Sequence, residues 1–166
     1  MRYKAEGGFT LVELLVVIGI LGFLSAAMVM TFGVITKTSS TAAGQNMALS
    51  EVHMAGNWIS RDVVNAIAHT VQPTAGGTLC SMQTYAWNSS TGIFDQLAVI
   101  YVIADGILTR QVGSDPAIQV ARYIVPAATT FTCEDNATRY FRLTVRAEYN
   151  GTGVTEVYRI KQVLTQ

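Results

Sequence analysis

The feature that most constrains this chain is an apolar run from Phe9 to Ile35. The run is 27 residues long and contains one charged side chain, that of Glu13. Because a helix rises ~1.5 Å per residue, such a run would extend about 40 Å and would cross a ~30 Å hydrocarbon core with some tilt. It therefore predicts a membrane-spanning helix with a carboxylate near its start.

The charges that flank the run indicate its orientation. Arg2 and Lys4 precede it, and only Glu6 opposes them. Since basic residues favour the cytoplasmic side of a membrane, the N-terminus is predicted to be cytoplasmic and the chain beyond Lys37 to lie outside. A permanent signal anchor is the simplest interpretation of this segment.

A secretory signal peptide is a second interpretation. The two basic residues near the N-terminus would form its charged region, and Ser25-Ala26-Ala27 supplies the small residues that a signal peptidase prefers. Cleavage would then precede Met28. Against this, the apolar sequence continues to Ile35, and Glu13 lies inside the supposed apolar region.

A third interpretation comes from the stretch Gly7-Gly8-Phe9-Thr10-Leu11-Val12-Glu13. It resembles the class III signal of type IV pilins and type II secretion pseudopilins. That signal combines a short basic leader, a glycine, a phenylalanine, a glutamate four residues later and a long apolar tail. The resemblance implies a leader of residues 1–8, cleavage between Gly8 and Phe9 by a prepilin peptidase, N-methylation of Phe9, and assembly into a helical filament.

The same resemblance gives Glu13 an assembly role together with Phe9. Cleavage would create a positive α-amino group on Phe9, and neither this charge nor the carboxylate is readily tolerated alone in lipid. Pairing of the amine with Glu13 of a neighbouring subunit would offset that cost and favour one register of stacking. The alternative is a lone anchor whose carboxylate reaches the cytoplasmic interface.

Two further features favour a minor pilin or a pseudopilin. Many major type IV pilins carry a proline within this helix, whereas this chain has none before Pro73. The weak points of the helix are instead Gly19, Gly22 and Gly33, each less favourable than alanine by ~1 kcal/mol. The stretch from Trp58 to Ala66 also resembles the stem of W-type minor pilins and J-type minor pseudopilins.

Residues 37–72 are predicted to form an amphipathic helical stem. The polar stretch 36–41 marks the exit from the bilayer and allows a short break in the helix. Beyond it, one helical face carries small and apolar residues at three- and four-residue steps, namely Ala48, Val52, Ala55, Gly56, Ile59, Val63, Ala66, Ile67 and Thr70. This narrow stripe predicts packing on a single sheet, and Pro73 ends the pattern.

Residues 73–166 are predicted to form a head of antiparallel strands, which begin at about Thr78. Asp105-Gly106 separates two strand-like runs, 96–104 and 107–112, and both positions of such a turn need positive φ. The first run is apolar on both faces. It is therefore predicted to be a central strand that the stem covers.

The second half of the head gives a second hairpin. Apolar and polar residues alternate from Phe141 to Tyr149, followed by a turn over 150–153 and a strand over 154–164. Residues 122–132 predict a further strand, at an edge or a bend because Pro126 interrupts it. The fold class is thus predicted to be α+β, with a long N-terminal helix packed on a C-terminal antiparallel β-sheet head.

The chain has two cysteines, Cys80 and Cys133. They lie in the part that a membrane anchor would place in an oxidising compartment, so a disulfide between them is one expectation. The bridge would close a loop of about 54 residues and would stabilise the head by up to ~4 kcal/mol. Two reduced, buried thiols are the alternative.

No catalytic motif is present: no His-Glu-x-x-His, Gly-x-Ser-x-Gly, phosphate-binding loop or Cys-x-x-Cys. No enzyme activity, catalytic residue, cofactor or metal is therefore expected. His53 and His69 would point in different directions on one helix, so solvated or locally bonded rings are predicted. The runs 113–115 and 134–136 are predicted to be solvated acidic loops. The formal net charge is zero, so nucleic acid is not expected as a partner.

The resemblance implies a structural subunit of a type IV pilus or a type II secretion pseudopilus. It would be held in the inner membrane by residues 9–36 and become part of a periplasmic or cell-surface filament. The implied partners are other pilin or pseudopilin subunits, the prepilin peptidase and N-methyltransferase, and the inner-membrane assembly platform. The alternative is a single-pass, membrane-anchored extracytoplasmic binding module that does not assemble.

Overall fold

The computed structural model describes residues 10–67, 69–74, 77–135 and 139–163. The predicted cleavage-site residues Gly8 and Phe9 lie outside these ranges. The chain divides into two compact units, of which the first ends at Ala42 and the second begins at Ala43. The predicted division at residues 8, 36 and 72 remains a prediction, because compactness marks neither a cleavage site nor a bilayer boundary.

One helix, α1 (Leu11–Asn65), forms the N-terminal part of the described chain. It is continuous through residues 36–41, where the sequence allowed a break. The hydroxyls of this polar stretch bond to carbonyls of the preceding turn: Thr36 Oγ1 donates to Phe32 O at 2.9 Å, and Thr41 Oγ1 donates to Lys37 O at 3.0 Å. These side chains therefore keep their polar groups within the helix and do not interrupt it.

The helix ends at Asn65, although the sequence pattern predicted helix through Thr70. The backbone N–H of Ile67 donates to Gln83 O at 2.8 Å, and the Gln162 side chain donates to Ile67 O at 2.9 Å. The end of the helix is therefore set by contacts with distant strands. The prediction that Pro73 ends the helix is therefore wrong, because the helix already ends at Asn65.

The first sheet has five antiparallel strands in sequence order: β1 (Gln72–Pro73), β2 (Thr78–Asn88), β3 (Ile93–Ala104), β4 (Ile107–Val112) and β5 (Ile118–Ala121). The Asp105-Gly106 turn is confirmed, since both residues have positive φ, 51° and 74°. As predicted, β3 is central, between β2 and β4.

The second sheet has three antiparallel strands in sequence order: β6 (Thr130–Asp135), β7 (Tyr140–Tyr149) and β8 (Thr152–Lys161). The alternation predicted for β7 is confirmed, because Phe141, Leu143, Val145 and Ala147 are buried. The turn is shorter than predicted, since Asn150 and Gly151 alone have positive φ and β8 begins at Thr152.

The predicted single strand over 122–132 is wrong. Ile124 makes an isolated antiparallel bridge with Ala147, and a short 3-10 helix (Pro126–Ala128) follows before β6 begins at Thr130. Proline has a fixed φ and no N–H, which suits the first turn of a helix and not a strand ladder. The segment therefore connects the two sheets.

Within the second unit, the helical stripe packs on both sheets and not on the single sheet predicted. Ala48, Val52, Ala55, Ile59 and Val63 of α1 are 0% exposed. They share one core cluster with residues of the two sheets, among them Val99 and Tyr101 of β3 and Phe141 and Leu143 of β7. The fold is thus α+β, with the helix packed against antiparallel sheets.

Candidate assembly site

The helix begins with reciprocal hydrogen bonds between Thr10 and Glu13. Leu14 N–H donates to Thr10 O at 3.2 Å, which makes Thr10 the residue that caps the first turn. Glu13 N–H donates to Thr10 Oγ1 at 3.3 Å, and Thr10 N–H donates back to Glu13 Oε2 at 3.1 Å. This is a capping box, in which each side chain satisfies a backbone N–H of the other residue.

Thr10, the capping partner of Glu13, was not predicted from the sequence. The signal was present, because Thr-x-x-Glu ahead of an apolar run is typical of a helix start. The capping box gives the Glu13 carboxylate a partner within its own chain. The Glu13 carboxylate would therefore have hydrogen bonds even in a lone anchor.

The helix that follows presents an apolar surface. Every residue from 10 to 43 is exposed, and the large side chains of Leu11 and Phe23 are 80% and 76% exposed. Within the part of the chain that the structure describes, α1 is the one helix long and apolar enough to cross a membrane. An apolar surface of this extent calls for hydrocarbon or neighbouring helices around it.

The few polar side chains of this apolar stretch are satisfied locally. Ser25 Oγ donates to Leu21 O at 2.7 Å, and Thr31 Oγ1 donates to Ala27 O at 2.9 Å. In hydrocarbon each polar group must be bonded internally, and these bonds meet that requirement. The stretch is thus suited to a lipid environment apart from the Glu13 charge.

The two predicted disulfide partners lie on strands of different sheets. Cys80 on β2 is fully buried and Cys133 on β6 is partly buried. Burial raises the pKa of the Cys80 thiol, and the nearby Asp62 carboxylate raises it further. A thiol held in its neutral form reacts slowly with oxidants, since the thiolate is the nucleophile. The bond between them remains a prediction.

A buried polar cluster joins the helix to the first sheet. Asp62 Oδ2 on α1 accepts hydrogen bonds from Tyr101 Oη at 2.6 Å and from Arg110 Nε at 2.5 Å. The Arg110 guanidinium also lies 5.3 Å from the centre of the Trp58 ring. Burial raises the pKa of Tyr101, and its bond to Asp62 adds to this effect. The cluster fixes which turn of the helix faces β3 and β4.

A second contact joins the helix to β8 at Gly56. A Cβ added at Gly56 would lie 2.2 Å from Cζ of Tyr158, so the tyrosine ring occupies the space that any other residue would need. The Tyr158 hydroxyl donates to Glu156 Oε2 at 2.8 Å, and His53 Nε2 lies 3.1 Å from Glu156 Oε1. His53 thus bonds to a strand residue distant in sequence, and its side chain stays 51% exposed.

In the described ranges no group of three or more His, Cys, Asp or Glu residues is placed to hold a metal ion. Glu134, predicted to lie in a solvated acidic loop, is instead in β6. It accepts hydrogen bonds from Arg159 Nε at 2.9 Å and from Arg142, and the Arg159 bond is the main cause of its lowered pKa. That prediction was wrong for Glu134, and Asn136 lies outside the described residues.

Comparison with known proteins supports the reading of the N-terminal segment. The model of the prokaryotic N-terminal methylation motif matches residues 3–29, a stretch that includes Gly8, Phe9 and Glu13. No curated protein and no solved structure matches the chain. The long apolar helix and this signal are together consistent with a single-pass inner-membrane protein. The chain therefore carries the prokaryotic N-terminal methylation motif, the class III signal that is typical of type IV pilins and pseudopilins.

Proposed function

We propose that this chain is a minor structural subunit of a type IV pilus or a type II secretion pseudopilus. A prepilin peptidase removes residues 1–8 and methylates the new N-terminus at Phe9. The inner-membrane assembly platform then inserts the subunit among other pilin or pseudopilin subunits. The methylation motif supports this proposal, because it implies prepilin processing and pilin-like assembly.

The observation that carries the proposal is the apolar helix that begins within the methylation motif and continues beyond it. Its surface is exposed from residue 10 to residue 43, and the Glu13 carboxylate lies at its start. Lipid covers such a surface before assembly, and neighbouring helices cover it in a filament. The methylated amine of Phe9 on an incoming subunit then pairs with Glu13 of its neighbour, so two charges that lipid disfavours stabilise one register.

In this proposal the N-terminus is cytoplasmic and the second unit lies outside the inner membrane, since Arg2 and Lys4 precede the helix. The motif is typical of structural and not enzymatic proteins. The proposal therefore assigns the chain no catalytic residue and no cofactor. Its proposed role is structural: the helix is incorporated into the filament, and the head is exposed on the filament surface.

A second candidate function is a membrane-anchored binding module that never assembles. The capping box favours this candidate, because Thr10 already gives Glu13 hydrogen bonds within the same chain. If capping is the whole role of Glu13, no neighbouring amine is required. The two functions thus differ in whether Glu13 acts through its charge or through its hydrogen bonds.

Two substitutions at Glu13 separate these roles. Glu13→Gln keeps the capping box, since glutamine serves at this position, but removes the charge. Glu13→Ala removes both. Assembly through charge pairing predicts that both variants are processed normally and that both fall at least about tenfold in sheared filaments relative to the membrane pool. Immunoblots of the two fractions measure the ratio.

Thr10→Ala is the matched control, because it weakens the cap and keeps the charge. The proposal expects its incorporation to stay close to that of the unaltered protein. Incorporation of Glu13→Gln at the normal level would contradict the charge-pairing role. Normal incorporation of Glu13→Gln combined with loss for Thr10→Ala and Glu13→Ala would assign Glu13 to capping instead.

A further inference from the structure

The tip of the β2–β3 hairpin exposes three aromatic rings on one face. Tyr85, Trp87 and Phe94 are 56%, 59% and 63% exposed. Trp87 and Phe94 are cross-strand partners, and their ring centres lie 5.2 Å apart in an edge-to-face arrangement. Tyr85 is two residues from Trp87 on the same strand and thus on the same face. We call these three residues the aromatic tip.

The aromatic tip lies outside the hydrophobic core, so its three rings do not contribute to the packing of the fold. The face that carries it is opposite to the face that buries Val99 and Tyr101, since the side chains of β3 alternate. The described chain contains four contacts between an Arg or Lys group and an aromatic ring. None of these contacts involves a ring of the aromatic tip. Several exposed rings in one patch mark an interaction surface.

The outer face of the second sheet has the complementary chemistry. Arg142 and Arg146 of β7 and Arg159 of β8 have side chains that are 50%, 43% and 70% exposed. Arg142 and Arg159 are cross-strand partners, and both bond to Glu134. We call these three arginines the arginine face.

An arginine that bonds to a carboxylate still offers its flat surface to an aromatic ring. The carboxylate bonds to the edge of the guanidinium group, whereas a ring stacks on its plane. Glu134 therefore fixes the positions of Arg142 and Arg159 and leaves their planes available. The molecule uses this contact internally, because the guanidinium of Arg61 lies 4.3 Å from the centre of the Trp58 ring.

From this match we propose that the aromatic tip of one copy of the chain docks on the arginine face of a second copy. The two surfaces differ, so the contact is heterologous and can repeat along an array of subunits. A nucleic acid is a poor occupant of the tip, because β2 and β3 carry no basic residue and their charged residue, Asp95, is acidic. The arginine face supplies planar cationic groups suited to stacking on the uncharged rings of the tip.

This contact is too small to hold two chains together by itself. It can form when the helices of the subunits are already associated. Three half-exposed rings bury on the order of 300 Å², well below the ~800 Å² per partner of a stable interface. Subunits whose helices are held together have a far higher effective concentration of heads. The inference therefore rests on the proposed assembly role, and it specifies which head surfaces meet.

The test places a benzoylphenylalanine photocrosslinker at Trp87 of the full-length chain. This chain is mixed with an isotope-labelled, unmodified copy and reconstituted at high density in phosphatidylethanolamine–phosphatidylglycerol vesicles. After illumination, mass spectrometry should find crosslinks from the probe to labelled peptides of β7 or β8, which can arise only between two copies. The same probe at Met54, an exposed residue of α1, should not reach those strands.

Substitutions in the labelled copy test the chemistry of the contact. Arg142→Glu with Arg159→Glu should lower the crosslink yield about tenfold. Arg142→Lys with Arg159→Lys keeps the charges and the bonds to Glu134 but loses the planes, so it should lower the yield by a smaller factor. Arg122→Glu is the control at an exposed arginine off this face, and it should leave the yield unchanged.

Several results would overturn the proposal. Crosslinks to lipid alone, to other strands, or within one chain would show that the aromatic tip has a different occupant. A yield that the double glutamate variant does not change would exclude the arginine face. The vesicle assay needs no cleavage at Phe9, so its failure is distinct from failure of the proposed processing and filament assembly.

Discussion

The two halves of α1 meet different surroundings although they belong to one continuous helix. Residues 11–35 expose their large apolar side chains, whereas Val52, Ile59 and Val63 are 0% exposed. The first half is apolar on all sides, and the second has one apolar stripe with polar residues opposite. A helix of the first kind requires lipid or neighbours, and one of the second kind requires a single protein surface.

The acidic residues Glu13 and Asp62, one in each half of α1, also differ in their surroundings. Glu13 is exposed and bonds to Thr10, three residues away. Asp62 is 9% exposed and bonds to Tyr101 and Arg110, which come from two strands of the first sheet. One carboxylate is therefore available to another molecule, and the other is committed to the fold of its own chain.

The largest expected effect on stability is that of Asp62→Ala. This change leaves the Tyr101 hydroxyl and the partly buried Arg110 guanidinium without their shared acceptor, which costs roughly 3–5 kcal/mol for a buried pair. We expect the free energy of unfolding of the second unit to fall by this amount in denaturant titrations followed by near-UV circular dichroism in detergent. Glu13→Ala is the control and should leave that transition unchanged; equal losses in the two variants would remove the contrast.

A pair of glycine substitutions gives a smaller effect of opposite sign in the two halves. Gly56→Ala places a methyl group against the Tyr158 ring and should destabilise the second unit by ~1–3 kcal/mol. Gly22→Ala has nothing within 4 Å and should favour the helix by up to ~1 kcal/mol. Denaturant titrations of both variants, with helix content measured by far-UV circular dichroism, check this. An unchanged unfolding transition in Gly56→Ala would mean that Tyr158 moves aside without cost.

Alkaline pH should weaken the second unit and leave the apolar half of α1 unaffected. Burial raises the pKa of Tyr101 and of Tyr158 above the ordinary value of 10.0. The unfolded chain therefore loses phenol protons first as the pH rises through about 10, and the free energy of unfolding falls from there upward. Tyr101 contributes up to ~1.4 kcal/mol per pH unit. Tyr158 contributes less, because solvent screens it.

The measurement for this pH effect is a series of denaturant titrations between pH 8 and pH 11.5. The Tyr101→Phe variant should be less stable at pH 8, since it loses the bond to Asp62, and its stability should depend less on pH above 10. A decline of the same slope in this variant would assign the alkaline effect to other groups.

Local rules predicted much of the head. The Asp105-Gly106 and Asn150-Gly151 turns follow from neighbouring residues, because positive φ at both positions selects the tight hairpin. The alternation in β7 likewise reflects burial of one strand face. The capping box of Thr10 and Glu13 is equally local, because it follows from the Thr-x-x-Glu spacing.

Contacts between distant residues account for what could not be predicted. The end of α1 depends on bonds from Ile67 to Gln83 and from Gln162 to Ile67, and no local pattern encodes these pairings. The buried position of Asp62 likewise requires Tyr101 and Arg110, 39 and 48 residues away. An Arg-Asp pair on a helix carries no sign of which strands will meet it.

The candidate site divides in the same way. The class III signal could be recognised because a peptidase reads it as a linear segment, and the methylation motif matches that segment. The aromatic tip and the arginine face could not be predicted, since each is formed where separate strands pair. Trp87 and Phe94 meet only in the register of β2 with β3.

The most direct test of the central claim is the mass of the intact N-terminal peptide of the protein isolated from its native membrane and from sheared filaments. The account predicts that both fractions begin at a methylated Phe9 and lack residues 1–8. An intact Met1, or a chain that begins at Met28, in protein that still supports normal filament function would contradict it.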